Sequence, residues 1–331
     1  MTPPSLETLV GRQLVVGISV TSLTADVAAH LEAMHAGGFI AFERNFTAPE
    51  QFRALMAQLK DARGSDLLVA VDHEGGRIVR FSSGVTRFPA NRIQGTTQKP
   101  EEARRQGDVE ARELRAWGVH VNLAPCVDVL VEGADPVVGD RSYGSDPARV
   151  AALAAARIQG MQAAGVAACA KHFPGLGAVP KDPHKQLPTV GLDWAAMRQA
   201  HLPPFLEAIR VGVKAVMSSH VCYPELEGRP ALPATFSSRL IRELLRGELG
   251  FQGLVVTDDL EMGALQNLCP IGEAAIRAVA AGHDVLLVCH SPSAQREVFE
   301  ALCAAYREGR LSTPELERSV ERIRQLVRGG A

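Results

Sequence analysis

Short runs of apolar, often β-branched residues recur along the chain, and each is followed by a longer segment whose apolar residues lie three or four positions apart. A short apolar run is typical of a buried strand, and the three-to-four spacing is typical of an amphipathic helix. The runs predict strands at residues 14–18, 39–42, 67–71, 119–123, 167–170, 215–218, 254–257 and 285–288. The other segments predict helices at residues 26–35, 49–62, 101–117, 147–164, 194–211, 237–249, 272–281 and 293–306, with a last helix at 313–327 that completes the outer ring.

Eight alternations of strand and helix favour a closed (β/α)8 TIM barrel over an open, doubly wound α/β sheet. No Pro/Gly/Ser-rich hinge or low-complexity tract divides the chain, so we expect residues 1–331 to form a single domain. Active sites of such barrels lie at the carboxyl ends of the strands. Polar residues that directly follow each strand are therefore the candidates for function.

The composition narrows the class of partner. Hydrophobic residues make up 46% of the chain and the formal net charge is −2, which is typical of a globular enzyme and provides no basic surface for nucleic acid or anionic membranes. The sequence has no apolar stretch of about 18 residues and no positively charged segment of a secretion signal, so we expect a cytoplasmic protein. Its six cysteines lack C-x-x-C spacing and read as buried thiols. The expected partner is a small molecule.

Charged residues cluster after the third and fourth strands. Asp72 directly follows the third strand, where its carboxylate can accept hydrogen bonds from two adjacent sugar hydroxyls, and Arg80 lies in the same polar segment. The alternative is a surface turn whose arginines pair with nearby acids. In the long loop after the fourth strand, Arg141 offers five donors in a rigid fork, although a structural ion pair fits this residue equally well.

The loop after the fifth strand is rich in glycine and proline and contains Lys171, His172, Asp182 and His184. Asp182 and His184 are two residues apart, so an extended backbone, which Pro183 favours in the residue before it, would place both side chains on one side. A carboxylate beside an imidazole orients the ring and favours its charged form, so the pair can donate and accept a proton near neutral pH. An exposed Asp-Pro-His turn is the alternative.

The sixth and seventh strands end in three further polar residues. His220 follows the sixth strand, where it could contact substrate or support the loop. Asp258 and Asp259 follow the seventh strand, and adjacent residues of a strand face opposite sides. We therefore predict that Asp258 points into the barrel mouth and that Asp259 supports the loop or the start of a helix.

Taken together, these segments resemble the single-domain bacterial β-N-acetylhexosaminidases (β-N-acetylglucosaminidases) of glycoside hydrolase family 3. The resemblance covers almost the whole chain and rests on VDHEGGRIVRF, NLAPCVDV, GDRSYGSDP, KHFPGLGAVPKDPH, SSHVCYP with PALPATFS, and GLVVTDDLEMGAL. The pattern KHFPG-x-G-x4-D-x-H is the most specific of these, because it resembles the N-acetylhexosaminidase branch of the family and not the glucosidases.

The resemblance implies a retaining mechanism in which Asp258 is the nucleophile, His184 donates and accepts the proton, and Asp182 is the partner of His184. The residues that it implies for binding the terminal sugar are Asp72, Arg80, Arg141, Lys171 and His172. It also implies an exo-acting enzyme that needs no metal or cofactor and releases N-acetylglucosamine from muropeptide fragments during peptidoglycan recycling. We expect a monomer.

Three positions differ from the common family pattern. Pro183 stands where Ser or Thr is usual between the paired residues, Ala178 replaces a polar residue, and Leu176 stands where many members have His. Proline removes an amide donor and restricts φ, so the loop shape can differ. Four alternatives remain open: phosphorolysis of the same bond, another family 3 β-glycosidase activity, a metal-dependent hydrolase with ligands His172, Asp182, His184 and Asp258, and sugar binding without catalysis.

Overall fold

The computed structural model describes residues 4–64, 66–97, 99–134, 136–227 and 232–329. Its strands are β1 (Leu14–Val16), β2 (Gly38–Ala41), β3 (Leu68–Val71), β4 (Val121–Asn122), β5 (Ala167–Phe173), β6 (Ala215–Ser218), β7 (Leu254–Asp259) and β8 (Val285–Val288). All neighbouring strands are parallel and pair in chain order, and β8 pairs with β1 to close the barrel. The predicted (β/α)8 TIM barrel is confirmed, and each predicted strand overlaps an observed one.

Helices connect the strands and surround the barrel. They are α1 (Leu6–Arg12), α2 (Ala25–Ala33), α3 (Pro49–Arg63), α4 (Asn91–Thr97), α5 (Pro100–Arg115), α6 (Pro147–Ala163), α7 (Trp194–Ala196), α8 (Pro203–Arg210), α9 (Pro224–Glu227), α10 (Gly263–Gln266), α11 (Ile271–Ala281), α12 (Pro292–Arg307) and α13 (Thr313–Gly329). The described residues also include two π-helical segments, Met197–His201 and Arg239–Glu248, and three 3-10 turns, Glu43–Asn45, Gly139–Arg141 and Ala234–Phe236.

Two predicted helices differ in detail from the observed ones. The predicted helix 194–211 is divided into α7, a π-helical segment and α8, because Pro203 and Pro204 lack amide donors and fit only the first turn of a new helix. The predicted helix 237–249 is largely π-helical, over Arg239–Glu248. Helix α1 was not predicted, since seven residues contain fewer than two helical turns of pattern.

Strand side chains alternate between two apolar clusters. Val15, Ile40 and Met217 belong to the cluster inside the barrel, whereas their neighbours in sequence, such as Val16 and Val216, pack against the surrounding helices. This period of two is expected where a strand is buried on both faces. The filled interior is a packed core, and it leaves the ends of the barrel as the places where a site can form.

The last helix, α13, was predicted as part of the outer ring. It also covers the amino-terminal opening of the barrel. Its residues Ile323 and Leu326 pack among the side chains inside the barrel. Asp284, which precedes β8, accepts hydrogen bonds from Ser319 at 2.7 Å and from Arg322 at 3.0 Å. The carboxyl end therefore remains for function. Within the described part of the chain, no helix has both the length and the apolar character needed to cross a membrane.

Candidate active site

Three strands direct a polar side chain toward the axis of the barrel at their carboxyl ends. Each of these polar residues comes two positions after an apolar residue of the barrel interior, so it continues an inward-facing row. The pairs are Ala70 and Asp72, Cys169 and Lys171, and Val256 and Asp258. The period of the strands thus places two carboxylates and an ammonium group above the apolar core.

A cavity of about 340 Å³ lies at this end of the barrel. All eight residues selected from the sequence line it: Asp72, Arg80, Arg141, Lys171, His172, Asp182, His184 and Asp258. The remaining lining residues include Glu74, Arg77, Ile78, Val137, Leu176, Pro183 and Met262. Residues from the loops after β3, β4, β5 and β7 therefore meet around one space.

Glu74 joins the cations of the site, although it was not among the residues predicted from the sequence. Its carboxylate accepts two hydrogen bonds from Arg141, at 2.8 and 2.9 Å, and lies 2.7 Å from the ammonium group of Lys171. Lys171 also contacts Asp72 at 2.6 Å. Burial raises the pKa of Glu74, but the two adjacent cations lower it more strongly, so the pKa lies well below its usual value. Glu74 is therefore a permanent anion that holds Arg141 and Lys171 in place.

The imidazole of His172 is oriented by Asp128, a second residue that was not predicted from the sequence. Nδ1 of His172 lies 2.7 Å from Asp128, whose carboxylate also accepts hydrogen bonds from the amides of His172 and Leu176. Arg141 contacts Nε2 of His172 at 3.3 Å, and a guanidinium group can only donate. Nδ1 of His172 therefore carries the proton, and Nε2 is an acceptor.

Asp258 and Asp259 face different surroundings. Asp258 lines the cavity and accepts a hydrogen bond from the amide of Asp259 at 2.9 Å. Removal from bulk water raises the pKa of Asp258, but the imidazoles of His172 and His220 and the Asp259 amide lower it more, so it lies below the usual value. Asp259 instead accepts hydrogen bonds from the amides of Glu261 and Cys289, as expected of a residue that supports the loop.

The side chains of Asp182 and His184 are in direct contact, with Nδ1 of His184 2.7 Å from the carboxylate. The expected extended backbone is wrong: Pro183, His184 and Lys185 form a turn, and Asp182 also accepts a hydrogen bond from the His184 amide at 2.9 Å. Desolvation raises the pKa of Asp182, but the hydrogen bonds from His184 outweigh it and lower the pKa. The contact therefore depends on a local turn in which the carboxylate caps the backbone.

The whole barrel matches one known family. Residues 8–326 match the family model described as the glycosyl hydrolase family 3 N terminal domain. The chain belongs to glycosyl hydrolase family 3. A β-hexosaminidase of Alkalilimnicola ehrlichii is 40% identical over 295 residues, which cover 87% of this chain and 84% of the relative. The family assignment makes the chain a glycoside hydrolase.

Solved structures of family 3 members have the same fold. A β-N-acetylglucosaminidase from Paenibacillus sp. str. FPU-7 has a TM-score of 0.95 and 40% sequence identity; the match covers 99% of this chain, which thus spans somewhat less than two thirds (64%) of that protein. NagZ from Neisseria gonorrhoeae, solved with N-trifluoroacetyl-D-glucosamine, has a TM-score of 0.80 and 33% identity, covering 95% of this chain and 98% of that protein.

His220 and one further group of metal-type side chains have structural explanations in this family 3 barrel. Nε2 of His220 donates to the carbonyl of Asp259 at 3.0 Å, and His220 lies outside the residues that line the cavity. Among the described residues, the metal-type ligands that converge are those of Cys126, Asp128 and His172. Their atoms already hydrogen-bond one another, with the Cys126 thiol 3.2 Å from Asp128, so we interpret this group as the support of His172.

Proposed function

We propose that this family 3 protein is a retaining exo-β-N-acetylhexosaminidase that releases terminal N-acetylglucosamine. One observation carries the proposal: the carboxylate of Asp258, at the end of β7, and the Asp182–His184 pair, in the loop after β5, line the same cavity. A retaining glycosidase requires a carboxylate that attacks the anomeric carbon and a second group that acts first as an acid and then as a base. We assign the first role to Asp258 and the second to His184.

Asp258 acts in the first step. Its ionised carboxylate attacks C1 of the sugar, while His184 gives the proton on Nε2 to the departing glycosidic oxygen. The bond between C1 and that oxygen breaks, a bond between C1 and Asp258 forms, and the aglycone leaves as an alcohol. The lowered pKa of Asp258 keeps the attacking group ionised at neutral pH.

His184 acts again in the second step. Its neutral Nε2 takes a proton from a water molecule, and the oxygen attacks C1 from the side that the aglycone left. The ester bond to Asp258 breaks, and the sugar leaves with its original configuration. Asp182 accepts the hydrogen bond from Nδ1 throughout, which orients the ring and leaves Nε2 free to give and take the proton.

The other cavity residues suit a ligand with several hydroxyl groups. We propose that Asp72 accepts hydrogen bonds from the sugar, that Lys171 and Arg141 donate them, and that Nε2 of His172 is an acceptor. Nε of Arg80 is buried without a hydrogen-bond partner among the described residues, and a sugar oxygen would satisfy it. The volume is near the lower end of the roughly 300–1,000 Å³ range of ligand pockets, which favours one terminal sugar.

The proposed sugar and its source rest on the relatives and on the sequence resemblance. Relatives named β-hexosaminidase and a relative solved with N-trifluoroacetyl-D-glucosamine support N-acetylglucosamine. Muropeptide fragments of peptidoglycan are the substrates that the resemblance implies. We propose that residues 1–331 hydrolyse them as one catalytic domain, as a monomer in the cytoplasm. The two chemical steps use only side chains of this domain and water.

The specificity is tested with paired aryl β-glycosides that differ only in the 2-acetamido group. We expect kcat/KM for the acetamido substrate to be roughly 100-fold higher or more, because a site that hydrogen-bonds a substrate group discriminates strongly against its absence. Equal rates would indicate another β-glycosidase. Binding of N-acetylglucosamine without turnover would indicate a sugar-binding protein. Formation of a sugar 1-phosphate in phosphate buffer would indicate a phosphorylase, which a histidine acid/base permits because it does not repel phosphate.

The nucleophile is tested by trapping. A 5-fluoro derivative of N-acetylglucosaminyl fluoride slows both steps and lets the glycosyl ester accumulate, and peptide mass spectrometry then locates the labelled residue. We expect the label on Asp258 and a nearly inactive Asp258→Ala variant. A label elsewhere, or near-normal activity of this variant, would contradict the assignment.

A further inference from the structure

The segment that carries Asp182 and His184 is attached to α10, the short helix that follows the nucleophile strand. The amide of Gly263 donates to the carbonyl of His184 at 3.1 Å, and the amide of Ala264 donates to the carbonyl of Pro183 at 3.1 Å. Both contacts join backbone atoms, so they hold the backbone of the turn in place and not only one of its side chains.

Asn267 adds a third hydrogen bond one residue further along the segment. Its Nδ2 donates to the carbonyl of Lys185 at 3.4 Å. The carbonyls of three consecutive residues, from Pro183 to Lys185, therefore all accept hydrogen bonds from the stretch 263–267. We call these three contacts the loop clamp.

Position 263 allows this contact only because it is glycine. A Cβ atom there would lie 2.6 Å from the carbonyl oxygen of His184 and 3.0 Å from that of Lys185. Both distances are to backbone atoms, which cannot rotate away as a flexible side chain can. Since φ of Gly263 lies outside the left-handed region, the close approach and not the backbone conformation requires glycine here.

The stretch that forms the loop clamp is itself well held. The amide of Met262 donates to the carbonyl of Asp259 at 3.1 Å. Nε2 of Gln266 donates to the carbonyl of Leu260 at 3.0 Å, and the Glu261 carboxylate accepts hydrogen bonds from two amides after β8. The clamp therefore begins four residues beyond the strand end that carries Asp258, on a supported stretch of backbone.

Residues 175–190, the segment that carries Asp182 and His184, are held at both ends by contacts that do not involve the loop clamp. At one end, the hydroxyl of Tyr223 donates to the carbonyl of Gly175, and Asp128 accepts from the amide of Leu176. At the other end, Val190 and Pro188 pair with Cys222 through backbone hydrogen bonds. Loss of the clamp would therefore shift the turn with Asp182 and His184 but leave Lys171 and His172 in place.

We propose that Gly263 and Asn267 are positioning residues that set the place of the acid/base pair relative to the nucleophile. The inference rests on the proposed hydrolase function, because only that function gives His184 a proton to transfer. It concerns residues that touch neither the sugar nor the bond that breaks. The consequence is specific: weakening the clamp impairs proton donation more than it impairs sugar binding.

The experiment compares Gly263→Ala with the wild type on two aryl β-N-acetylglucosaminides. Cleavage of the phenyl glycoside needs a proton for the departing oxygen, whereas dinitrophenolate leaves without one. We expect kcat/KM of Gly263→Ala to fall roughly 10-fold or more for the phenyl substrate and less than about 3-fold for the dinitrophenyl substrate. The inhibition constant of N-acetylglucosamine should stay unchanged.

Two further variants complete the test. Asn267→Ala removes only the side-chain contact, so we expect a smaller loss with the same dependence on the leaving group. Gly191→Ala is the matched control, because nothing lies within 4 Å of its added Cβ and its φ is also outside the left-handed region; it should behave as wild type. Equal losses on both substrates, or no loss in either clamp variant, would overturn the proposal.

Amide hydrogen exchange of residues 178–187 provides a readout that does not depend on activity. We expect faster exchange in Gly263→Ala than in the wild type and in Gly191→Ala, since the segment loses its central attachment. A wild-type protein that cleaves neither glycoside would refute the proposed function. Unchanged exchange in Gly263→Ala would instead refute the clamp.

Discussion

Two histidine–aspartate pairs serve the site at the scale of single residues, and their exposure separates their roles. Nδ1 lies 2.7 Å from a carboxylate in both His172–Asp128 and His184–Asp182. The side chain of His172 is 4% exposed and that of His184 is 59% exposed. The buried ring is held as a hydrogen-bonding group, whereas the exposed ring can exchange a proton with substrate and water.

Replacing His184 should therefore affect catalysis in a way that depends on the leaving group. For His184→Ala we expect kcat/KM to fall about 10²–10⁴-fold on a phenyl β-N-acetylglucosaminide, the usual contribution of general acid/base catalysis. Azide needs no base, so it should accelerate turnover of a dinitrophenyl substrate by this variant and yield the β-glycosyl azide. An α-configured azide, or no effect of azide, would contradict the retaining mechanism with His184 as the base.

Glu74 is the anion that two cations of the site, Arg141 and Lys171, share. Glu74→Gln keeps the size of the side chain but leaves Arg141 without its anion and Lys171 with Asp72 alone. We expect the free energy of unfolding to fall by roughly 3 kcal/mol, because a buried charge loses its partner, and KM to rise. Urea denaturation and inhibition by N-acetylglucosamine measure the two effects. Unchanged values for both would show that the anion is dispensable.

At the scale of elements, a buried ion pair between two helices supports the site from outside the barrel. Arg157 of α6 donates to both carboxylate oxygens of Glu110 of α5, at 2.9 and 3.0 Å. The same guanidinium donates to the carbonyl of Glu74 at 2.9 Å and to the side chain of Asn91. Asn91 in turn donates to the carbonyl of Arg141 at 2.6 Å. One arginine thus connects the loops that carry Glu74 and Arg141.

A double-mutant cycle should reveal this arrangement. Arg157→Met leaves Glu110 buried without its cation, so we expect a loss of about 3–5 kcal/mol in the free energy of unfolding. Adding Glu110→Met removes the isolated charge, and the double variant should be more stable than Arg157→Met alone. Activity should stay low in both, because the hydrogen bond to the Glu74 carbonyl is absent. Additive losses of stability would contradict this explanation.

At the scale of the whole molecule, the two ends of the barrel have different tasks. Helix α13 and the Asp284 network close the amino-terminal end, whereas the loops at the carboxyl end surround the cavity. The barrel also contains two buried histidines, His73 and His283, that are neutral in the folded protein at neutral pH. Burial lowers the pKa of His73 to about 4 and that of His283 to about 3, from an ordinary value of 6.5.

These two histidines predict how stability depends on pH. Between pH 6.5 and about 4 the unfolded chain binds protons at both positions while the folded chain does not, so stability is full above pH 6.5 and is lost as the pH falls. We expect a loss of roughly 2 kcal/mol per histidine between pH 7.5 and 5.0, measured by urea denaturation. His73→Leu removes one titrating group and should reduce the loss of stability by roughly 2 kcal/mol. An unchanged loss would contradict the prediction.

Much of the fold and of the site depends on local pattern, which the sequence already contains. The eight strands could be predicted because alternation and length are properties of short segments. Asp72, Lys171 and Asp258 could be selected because each comes two residues after an inward-facing apolar residue. Glu74 lies two residues beyond Asp72, so the same spacing could have identified it. No comparable local signal marked Asp128, whose partner His172 is 44 residues away.

The sequence by itself determined the barrel and the order in which polar residues reach its mouth, because periodicity acts over a few residues. Only the tertiary structure decided that α13 covers the amino-terminal end of the barrel, that Asp182 and His184 meet through a turn, and that Gly263 approaches the backbone of that turn. Those contacts join segments that are distant along the chain, and their geometry depends on how the whole barrel packs. A pattern of hydrophobic and polar positions contains no information about such distances.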